Sequence, residues 1–154
     1  MKAKILIPML CLMTLKAVAA QHTDFSGSWQ FNPEKGKNIG MMAQMNMTQT
    51  IEQSDSSLQI STRTNFQGRD GDSKTLYDLT GKTVTNESPM GGPSDTVSKW
   101  DGAKLVTTWT SESAVAGGAK VVRTETRSLS PDGKTMTVES VRGPNSLVMV
   151  FDRK

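Results

Sequence analysis

Four methionines lie within one short stretch of the chain, at Met41, Met42, Met45 and Met47. Thioether sulfur is a soft ligand, so such a group could bind Cu(I) or Ag(I). The other interpretation is structural. Met45 and Met47 would be inward residues of a strand, and Met41 and Met42 would be apolar residues at a lip, because methionine fills irregular apolar spaces. We favour the structural interpretation and keep soft-metal binding as the alternative.

The side chains that most enzymes use for catalysis are scarce. The single histidine, His22, lies near the N-terminus, where we expect a frayed, solvated segment that could not hold a base against a substrate. The single cysteine is Cys11. The usual nucleophile–base pairs and tetrahedral zinc sites are therefore excluded. We predict a protein that is not an enzyme and that uses no cofactor.

Arginines are the remaining candidates for chemistry, namely Arg63, Arg123 and Arg127. An arginine inside a barrel could hold an anionic headgroup through a bidentate pair of hydrogen bonds. Arg123, Glu125 and Arg127 alternate along one candidate strand, however, and alternating charges usually mark a solvated wall. We expect the surface placement, while the sequence leaves open which face of strand 121–129 points inward.

The first twenty residues have the composition of an export signal. Lysines precede an apolar stretch at residues 5–15, and small residues then suit cleavage after Ala19 or Ala20. The apolar stretch is shorter than the roughly 20 residues that span a bilayer. We predict a signal peptide at 1–20, one domain at 21–154, and export to the periplasm or the extracellular space.

Loss of that signal changes the charge balance. The whole chain has eighteen Lys and Arg residues against fifteen Asp and Glu, a formal net charge of +3. Lys2, Lys4 and Lys16 belong to the signal, so the remainder has fifteen residues of each sign. A neutral chain without a basic cluster gives no support for binding nucleic acid or anionic membranes. We expect neither partner, no membrane span, and a monomer.

Short alternating segments separated by turn residues follow the signal, and none has the pattern of a long helix. This succession predicts an all-β, antiparallel, up-and-down structure. Seventeen threonines after residue 20, and only 35% hydrophobic residues overall, favour a barrel with a partly polar interior. The ten candidate strands are 25–32, 45–53, 58–66, 75–80, 82–87, 95–100, 105–111, 121–129, 135–141 and 147–152. The looser connections are 33–44, 88–94 and 113–119.

Three motifs resemble those of a known superfamily. FSGSW at 25–29 matches the FxGxW motif of the calycins, which include lipocalins and fatty-acid-binding proteins. A KWDG hairpin at 99–102 and an LSPDGKT hairpin at 129–135 accompany that motif in small exported bacterial lipocalin-like proteins. The chain resembles these proteins over residues 24–154.

The resemblance implies a ten-stranded, calycin-like barrel in which Trp29 closes the base and Trp100 lies near the wall. Fatty-acid-binding proteins also carry an Arg-x-Tyr pair on the last strand that holds the ligand carboxylate. Met149 and Phe151 take those positions here, so no carboxylate clamp is carried over. The link after the first strand is also too short for the two-helix lid of that family.

Alternation within the strands turns one set of side chains inward, and a hollow barrel lined by them would bind a small hydrophobic or amphiphilic molecule. The predicted ligand-binding residues are Trp29, Phe31, Met45, Met47, Ile60, Phe66, Trp100, Met149 and Phe151. A barrel with a solid core, acting in structure or interaction, is a further alternative to this carrier role.

Overall fold

The computed structural model describes residues 22–88, 91–113 and 117–154, so the predicted signal peptide lies outside the described residues. The described chain forms ten β-strands in one antiparallel sheet. The strands are β1 (Gly27–Phe31), β2 (Asn46–Gln53), β3 (Ser57–Phe66), β4 (Arg69–Asp78), β5 (Val84–Glu87), β6 (Pro93–Asp101), β7 (Lys104–Ser113), β8 (Ala119–Leu129), β9 (Thr135–Arg142) and β10 (Asn145–Arg153). Two short 3₁₀ helices, Pro33–Lys35 and Gly40–Gln44, follow β1.

The sheet wraps round until its first strand meets its last. Its strand order is β4-β3-β2-β1-β10-β9-β8-β7-β6-β5. In the pairing of β1 with β10, Trp29 lies opposite Arg153 and Phe31 opposite Phe151. The two edge strands of the sheet are β4 and β5. Side-chain hydrogen bonds from Asn86 of β5 to Leu76 of β4 join these edges in place of a backbone ladder, so the barrel is nearly closed. The predicted ten-stranded, up-and-down barrel is confirmed.

The predicted boundaries are least accurate at β4. The sequence places the fourth strand at 75–80, whereas β4 already begins at Arg69, directly after the turn from β3. The turn consists of Gln67 and Gly68, which both have positive φ, at 52° and 78°. Two consecutive residues with positive φ form a hairpin turn whose twist matches that of the two strands it joins. The first half of β4 is exposed on both faces, so its polar composition resembles that of a loop.

Aromatic residues before and within β1 close one end of the barrel, here called the base. Phe25 and Trp29 are fully buried, and the Trp29 indole Nε1–H donates a hydrogen bond of 2.9 Å to the Phe25 carbonyl. The Arg153 guanidinium lies over the Trp29 ring at 4.2 Å. Gly27 has φ of 128°, and a Cβ there would lie 2.7 Å from Arg153 Nη1. The FxGxW motif therefore supplies two plugging rings and a glycine that lets the arginine approach.

The N-terminal segment packs against the same base. The Trp100 ring stacks on Phe25 with centroids 6.2 Å apart, and on His22 with centroids 4.4 Å apart. The Thr23 hydroxyl donates a 2.6 Å hydrogen bond to the Ala103 carbonyl in the β6–β7 turn. The prediction that His22 lies in a frayed segment is wrong, because these contacts tether the segment to the β6–β7 hairpin.

The link between β1 and β2 runs beside β10, along the edge on which β1 pairs. Lys37 and Val148 exchange two backbone hydrogen bonds, each of 2.9 Å. The link is thereby tied to the last strand, and it lies at the end of the barrel opposite the base, here called the mouth, together with the β3–β4 and β9–β10 turns. Within the described residues no helix is long and apolar enough to cross a membrane.

Candidate functional site

Strand β8 carries the side chains of Arg123, Glu125 and Arg127 into the barrel. Its pairing with β7 places Arg123 opposite Trp109, and Glu125 opposite Thr107. Trp109 and Thr107 are buried inward residues, and Glu125 and Arg127 are only 7% and 4% exposed. The expectation that Arg123 and Arg127 lie on a solvated wall is therefore wrong.

The error has a physical cause. Alternating charges on one strand suggest a wet face, but buried charges are tolerated when they are paired. Glu125 lies between the two arginines and supplies that partner. Arg63, in contrast, is on the surface as expected, where its exposed side chain forms an ion pair of 3.1 Å with Asp72.

Glu125 is the centre of a buried polar cluster. Its Oε1 accepts a hydrogen bond of 3.1 Å from Arg127 Nη2, and its Oε2 lies 3.9 Å from Arg123 Nη1. The Tyr77 hydroxyl donates to the same Oε1 at 3.5 Å. Burial, followed by the negative charge of Glu125, raises the pKa of Tyr77. The phenol therefore stays a proton donor to the carboxylate.

Arg127 has partners on both terminal nitrogens. Nη2 donates to Glu125, while Nη1 is 3.4 Å from Gln49 Oε1 and 3.2 Å from the Met136 sulfur. This guanidinium is held by acceptors on β2, β8 and β9. It therefore contributes charge to the interior, with both terminal nitrogens already in contact with protein acceptors.

Arg123 is less completely paired. Its guanidinium lies over the Trp109 ring at 4.5 Å, and Tyr77 packs edge-on against the same ring with centroids 6.0 Å apart. Arg123 Nη2 and Trp109 Nε1 are buried, and neither has a hydrogen-bond acceptor in the described part of the chain. A buried donor without an acceptor costs about 1–3 kcal/mol. Both groups are donors, so the arrangement suits an incoming molecule with acceptor oxygens.

The cluster also has a charge imbalance. Two guanidinium groups, of Arg123 and Arg127, face the single carboxylate of Glu125. The cluster therefore carries one net positive charge. Charges in a buried site are screened far less than charges on the surface. The electrostatic preference of this site is for an anion.

Most of the nine residues predicted to line a ligand site belong to the hydrophobic interior. Five belong to one buried hydrophobic core, and three pack against that core while partly buried. The five are Trp29, Phe31, Met47, Ile60 and Phe151, and the three are Met45, Trp100 and Met149. The Phe31 and Phe151 rings lie 5.5 Å apart, which joins β1 to β10 inside the barrel.

Three of the nine predicted residues lie towards the ends of the barrel. Trp29 and Trp100 belong to the base, where they pack with Phe25. Phe66 is partly buried at the end of β3, next to the Gln67–Gly68 turn at the mouth.

The structural interpretation of the methionine cluster is confirmed for Met47, an inward residue of β2, whereas Met45 lies one residue before β2 begins. Met47 is buried, Met42 and Met45 pack against the core, and Met41 is 78% exposed near the mouth. The described residues also contain no group of three or more His, Cys, Asp or Glu side chains placed to hold a metal ion.

Sequence reasoning missed the polar half of this site. The inward alternation of β2 includes Gln49, but the predicted site residues include neither Tyr77 nor Trp109. The available signal was the alternation of Thr107 and Trp109 on β7. It could not be extended to Glu125 on β8, because the loose connection predicted at 113–119 does not fix the register of the two strands.

Two clefts lie on the outside of the barrel. One, of about 470 Å³, is formed by the outward faces of β6 and β7, including Val97 and Thr108. The other, of about 550 Å³, lies at the rim beside Pro93 and Lys120. Neither is lined by a buried donor that lacks an acceptor, so the interior cluster is the stronger candidate site.

Comparison with known proteins identifies the architecture. No protein-family model and no curated protein matches the sequence. The fold is that of the fatty-acid-binding proteins. A REP1-NXSQ fatty acid transporter matches 84% of this chain and 95% of its own, with 16% identity and a TM-score of 0.65.

Two animal proteins match to a similar extent. Echinococcus granulosus fatty-acid-binding protein 1 shares 9% identity, with a TM-score of 0.66 over 84% of this chain and 96% of its own. Apo Caenorhabditis elegans lipid binding protein 8 shares 10% identity, with a TM-score of 0.67 over 84% of this chain and 95% of its own. These low identities establish the fold, and the resemblance suggested by the FxGxW motif is confirmed at that level.

Proposed function

We propose that this protein is an exported, non-catalytic, monomeric binding protein whose barrel interior accepts a small amphiphilic molecule with an acidic headgroup. The observation that carries the proposal is the pair of buried donors without acceptors, Arg123 Nη2 and Trp109 Nε1. Their position beside a net positive cluster supports an anionic partner. The similarity in fold to proteins named for fatty acid and lipid binding supports a hydrophobic component.

The headgroup would bind at Arg123. The planar guanidinium presents paired donors that match a carboxylate or a similar oxyanion. The indole N–H of Trp109 would donate to a second oxygen of the same group. Because Arg127 is held by protein acceptors, its part would be electrostatic.

The apolar part of the molecule would lie against the partly buried side chains that pack on the core, such as Met149 and Met45. Methionine adapts well to ligands of varied shape. Removal of the apolar ligand surface from water would contribute about 25 cal/mol per Å². Affinity would thus come from the tail and orientation from the headgroup.

The non-catalytic assignment rests on the chemistry of the cluster. Tyr77 keeps its proton because burial and Glu125 raise its pKa, so it is no base. His22 is exposed at the base of the barrel, away from Glu125 and Arg123. Export is proposed from the signal-like segment at 1–20 alone.

Calorimetric titration of the delipidated mature protein with decanoate tests the proposal. Arg123→Gln should weaken binding by about tenfold to hundredfold, since a hydrogen bond to a charged group is worth about 1.5–3 kcal/mol. Trp109→Phe keeps a ring and removes only the N–H, so a loss of about two- to tenfold is expected. Arg63→Gln, an exposed site, is the matched control and should bind like the wild type.

Native mass spectrometry of the protein from its own host provides an independent measurement. A co-purifying acidic amphiphile would support the proposal. Bound copper with no lipid would favour the soft-metal alternative instead. A wild type that binds no amphiphile, with a solid interior, would contradict the carrier role.

A further inference from the structure

We infer that Glu125 is the residue that sets the charge selectivity of the interior, so that a singly charged acidic headgroup is accepted in preference to a doubly charged one. The inference rests on the proposed function. Glu125 acts as an internal carboxylate that occupies Arg127 and leaves the cluster with one positive charge. A headgroup with one negative charge would then neutralise the site.

The geometry distinguishes the two arginines. The Glu125–Arg127 contact is 3.1 Å and both side chains are nearly inaccessible, at 9% and 4% exposed. The Glu125–Arg123 contact is 3.9 Å, and Arg123 is 19% exposed. The carboxylate is therefore committed to Arg127 and contacts Arg123 weakly. Arg123 remains the group that an incoming anion would meet.

A second negative charge would have no partner in this arrangement. A phosphate monoester carries close to two negative charges, and its second charge would face Glu125 at short range. Like charges that meet in a poorly screened site disfavour binding strongly. The same carboxylate that neutralises Arg127 would thus exclude the dianion.

Two near-isosteric substitutions move the charge of the cluster in opposite directions. Glu125→Gln removes the carboxylate and raises the net charge from one positive to two. Gln49→Glu adds a carboxylate beside Arg127, whose Nη1 lies 3.4 Å from Gln49 Oε1, and lowers the net charge to zero. Glu139→Gln changes the overall charge as Glu125→Gln does, but Glu139 is exposed on β9 opposite Thr126 and serves as the matched control.

The experiment is calorimetric titration of each variant with decanoate, decyl phosphate and decanol at about pH 8, where the phosphate is doubly charged. The wild type should bind decanoate more tightly than decyl phosphate. Glu125→Gln should tighten decyl phosphate binding about tenfold or more, and more than decanoate binding, with decanol within about twofold. Gln49→Glu should weaken both anions, and Glu139→Gln should change none of the three affinities.

The outcomes separate this inference from the proposed function. Decanoate binding that needs Arg123 but is indifferent to Glu125→Gln would overturn the role of Glu125 alone. A wild type that prefers decyl phosphate would do the same. A wild type that binds none of the three compounds would overturn the proposed function as well. Circular dichroism shows whether Glu125→Gln folds. If it does not, Gln49→Glu and the wild-type order of affinities still test whether the charge of the cluster sets the preference for a singly charged headgroup.

Discussion

Asn86 joins β5 to the backbone of Leu76 in β4, across the one seam where the described strands have no backbone ladder. Its Oδ1 accepts a hydrogen bond of 2.9 Å from the Leu76 N–H, and its Nδ2 donates one of 2.8 Å to the Leu76 carbonyl. The same Nδ2 donates to Thr96 Oγ1 at 2.9 Å. The side-chain amide thus takes the place of a peptide group from a paired strand.

Asn86→Asp should weaken this seam. The substitution keeps the size and one acceptor but replaces the Nδ2 donor with an oxygen that faces the Leu76 carbonyl. We expect the free energy of unfolding to fall by about 1–3 kcal/mol, because two hydrogen bonds of Nδ2 are lost, at about 0.5–1.5 kcal/mol each, and the carboxylate repels the Leu76 carbonyl. Urea denaturation measures the loss, and hydrogen exchange at the Leu76 amide should become faster.

Asn46→Asp is the matched control for that prediction. Asn46 is exposed, and its Oδ1 accepts from Gln30 Nε2 at 2.9 Å, a contact that aspartate preserves. The free energy of unfolding of this variant should differ from that of the wild type by no more than about 0.5 kcal/mol. Equal losses in the two variants would show that the added charge, and not the Leu76 contact, is responsible.

Most of the architecture follows from local chemistry and could be predicted. Period-two alternation identified the inward faces of β1, β2 and β3, which the burial of Trp29, Met47 and Ile60 confirms. Turn residues marked most strand ends. The missed half of β4 begins at Arg69, because a strand exposed on both faces has no hydrophobic alternation to detect.

The polar cluster could not be predicted, because it is a property of pairing between strands. Arg127 is buried only because Gln49 on β2 and Met136 on β9 surround it. Those contacts join residues that are distant in sequence. A single strand with the order Arg123, Glu125, Arg127 is equally compatible with a solvated wall. Only the register of β7 against β8 determines that these three side chains point inward.

Gly27→Ala should destabilise the base. The residue has φ of 128°, and its new Cβ would approach Arg153 Nη1 to 2.7 Å. That guanidinium cannot withdraw freely, because it stacks on Trp29 and donates to the Ser26 carbonyl at 2.8 Å. Backbone strain of this kind costs about 1–3 kcal/mol, which thermal unfolding would measure.

Gly102→Ala measures the penalty of a positive φ where no such contact exists. Gly102 also has positive φ, at 57°, but a Cβ there meets nothing within 4 Å. Its cost should be limited to the conformational penalty, about 1–2 kcal/mol. If both variants lose the same stability, the approach of Arg153 is not the reason that position 27 is a glycine.

Asp152 should make stability depend on pH in the acid range. Its Oδ2 accepts from Asn32 Nδ2 and its Oδ1 from Lys35 Nζ, each at 2.7 Å. These hydrogen bonds hold the pKa of Asp152 below its ordinary value of 3.8. The folded state thus binds this proton less readily than the unfolded state. The ionised carboxylate therefore stabilises the folded state. This stabilisation is present above about pH 4 and is lost as the pH falls through the lowered pKa.

Urea denaturation between about pH 5 and pH 2 tests this dependence. Asn32→Ala removes the strongest of the hydrogen-bond effects and should reduce the slope of stability against pH. Asp152→Asn should remove the contribution of this group altogether. An unchanged slope in both variants would mean that other carboxylates dominate acid unfolding. Because Asp152 is 37% exposed, solvent screening keeps its contribution modest.

Tyr77 provides a spectroscopic test of the buried cluster, because it is the only tyrosine in the chain. Burial and the Glu125 carboxylate raise its pKa, so the folded protein holds the phenol proton more tightly than the unfolded chain does. The stabilisation is complete below about pH 10, the ordinary value for tyrosine, and is lost as the pH rises towards the raised pKa. Tyrosinate absorbance should therefore appear only together with loss of the near-ultraviolet circular dichroism of the folded protein. Tyr77→Phe supplies the baseline, and ionisation near pH 10 in a protein that remains folded would show that the phenol is not held against Glu125.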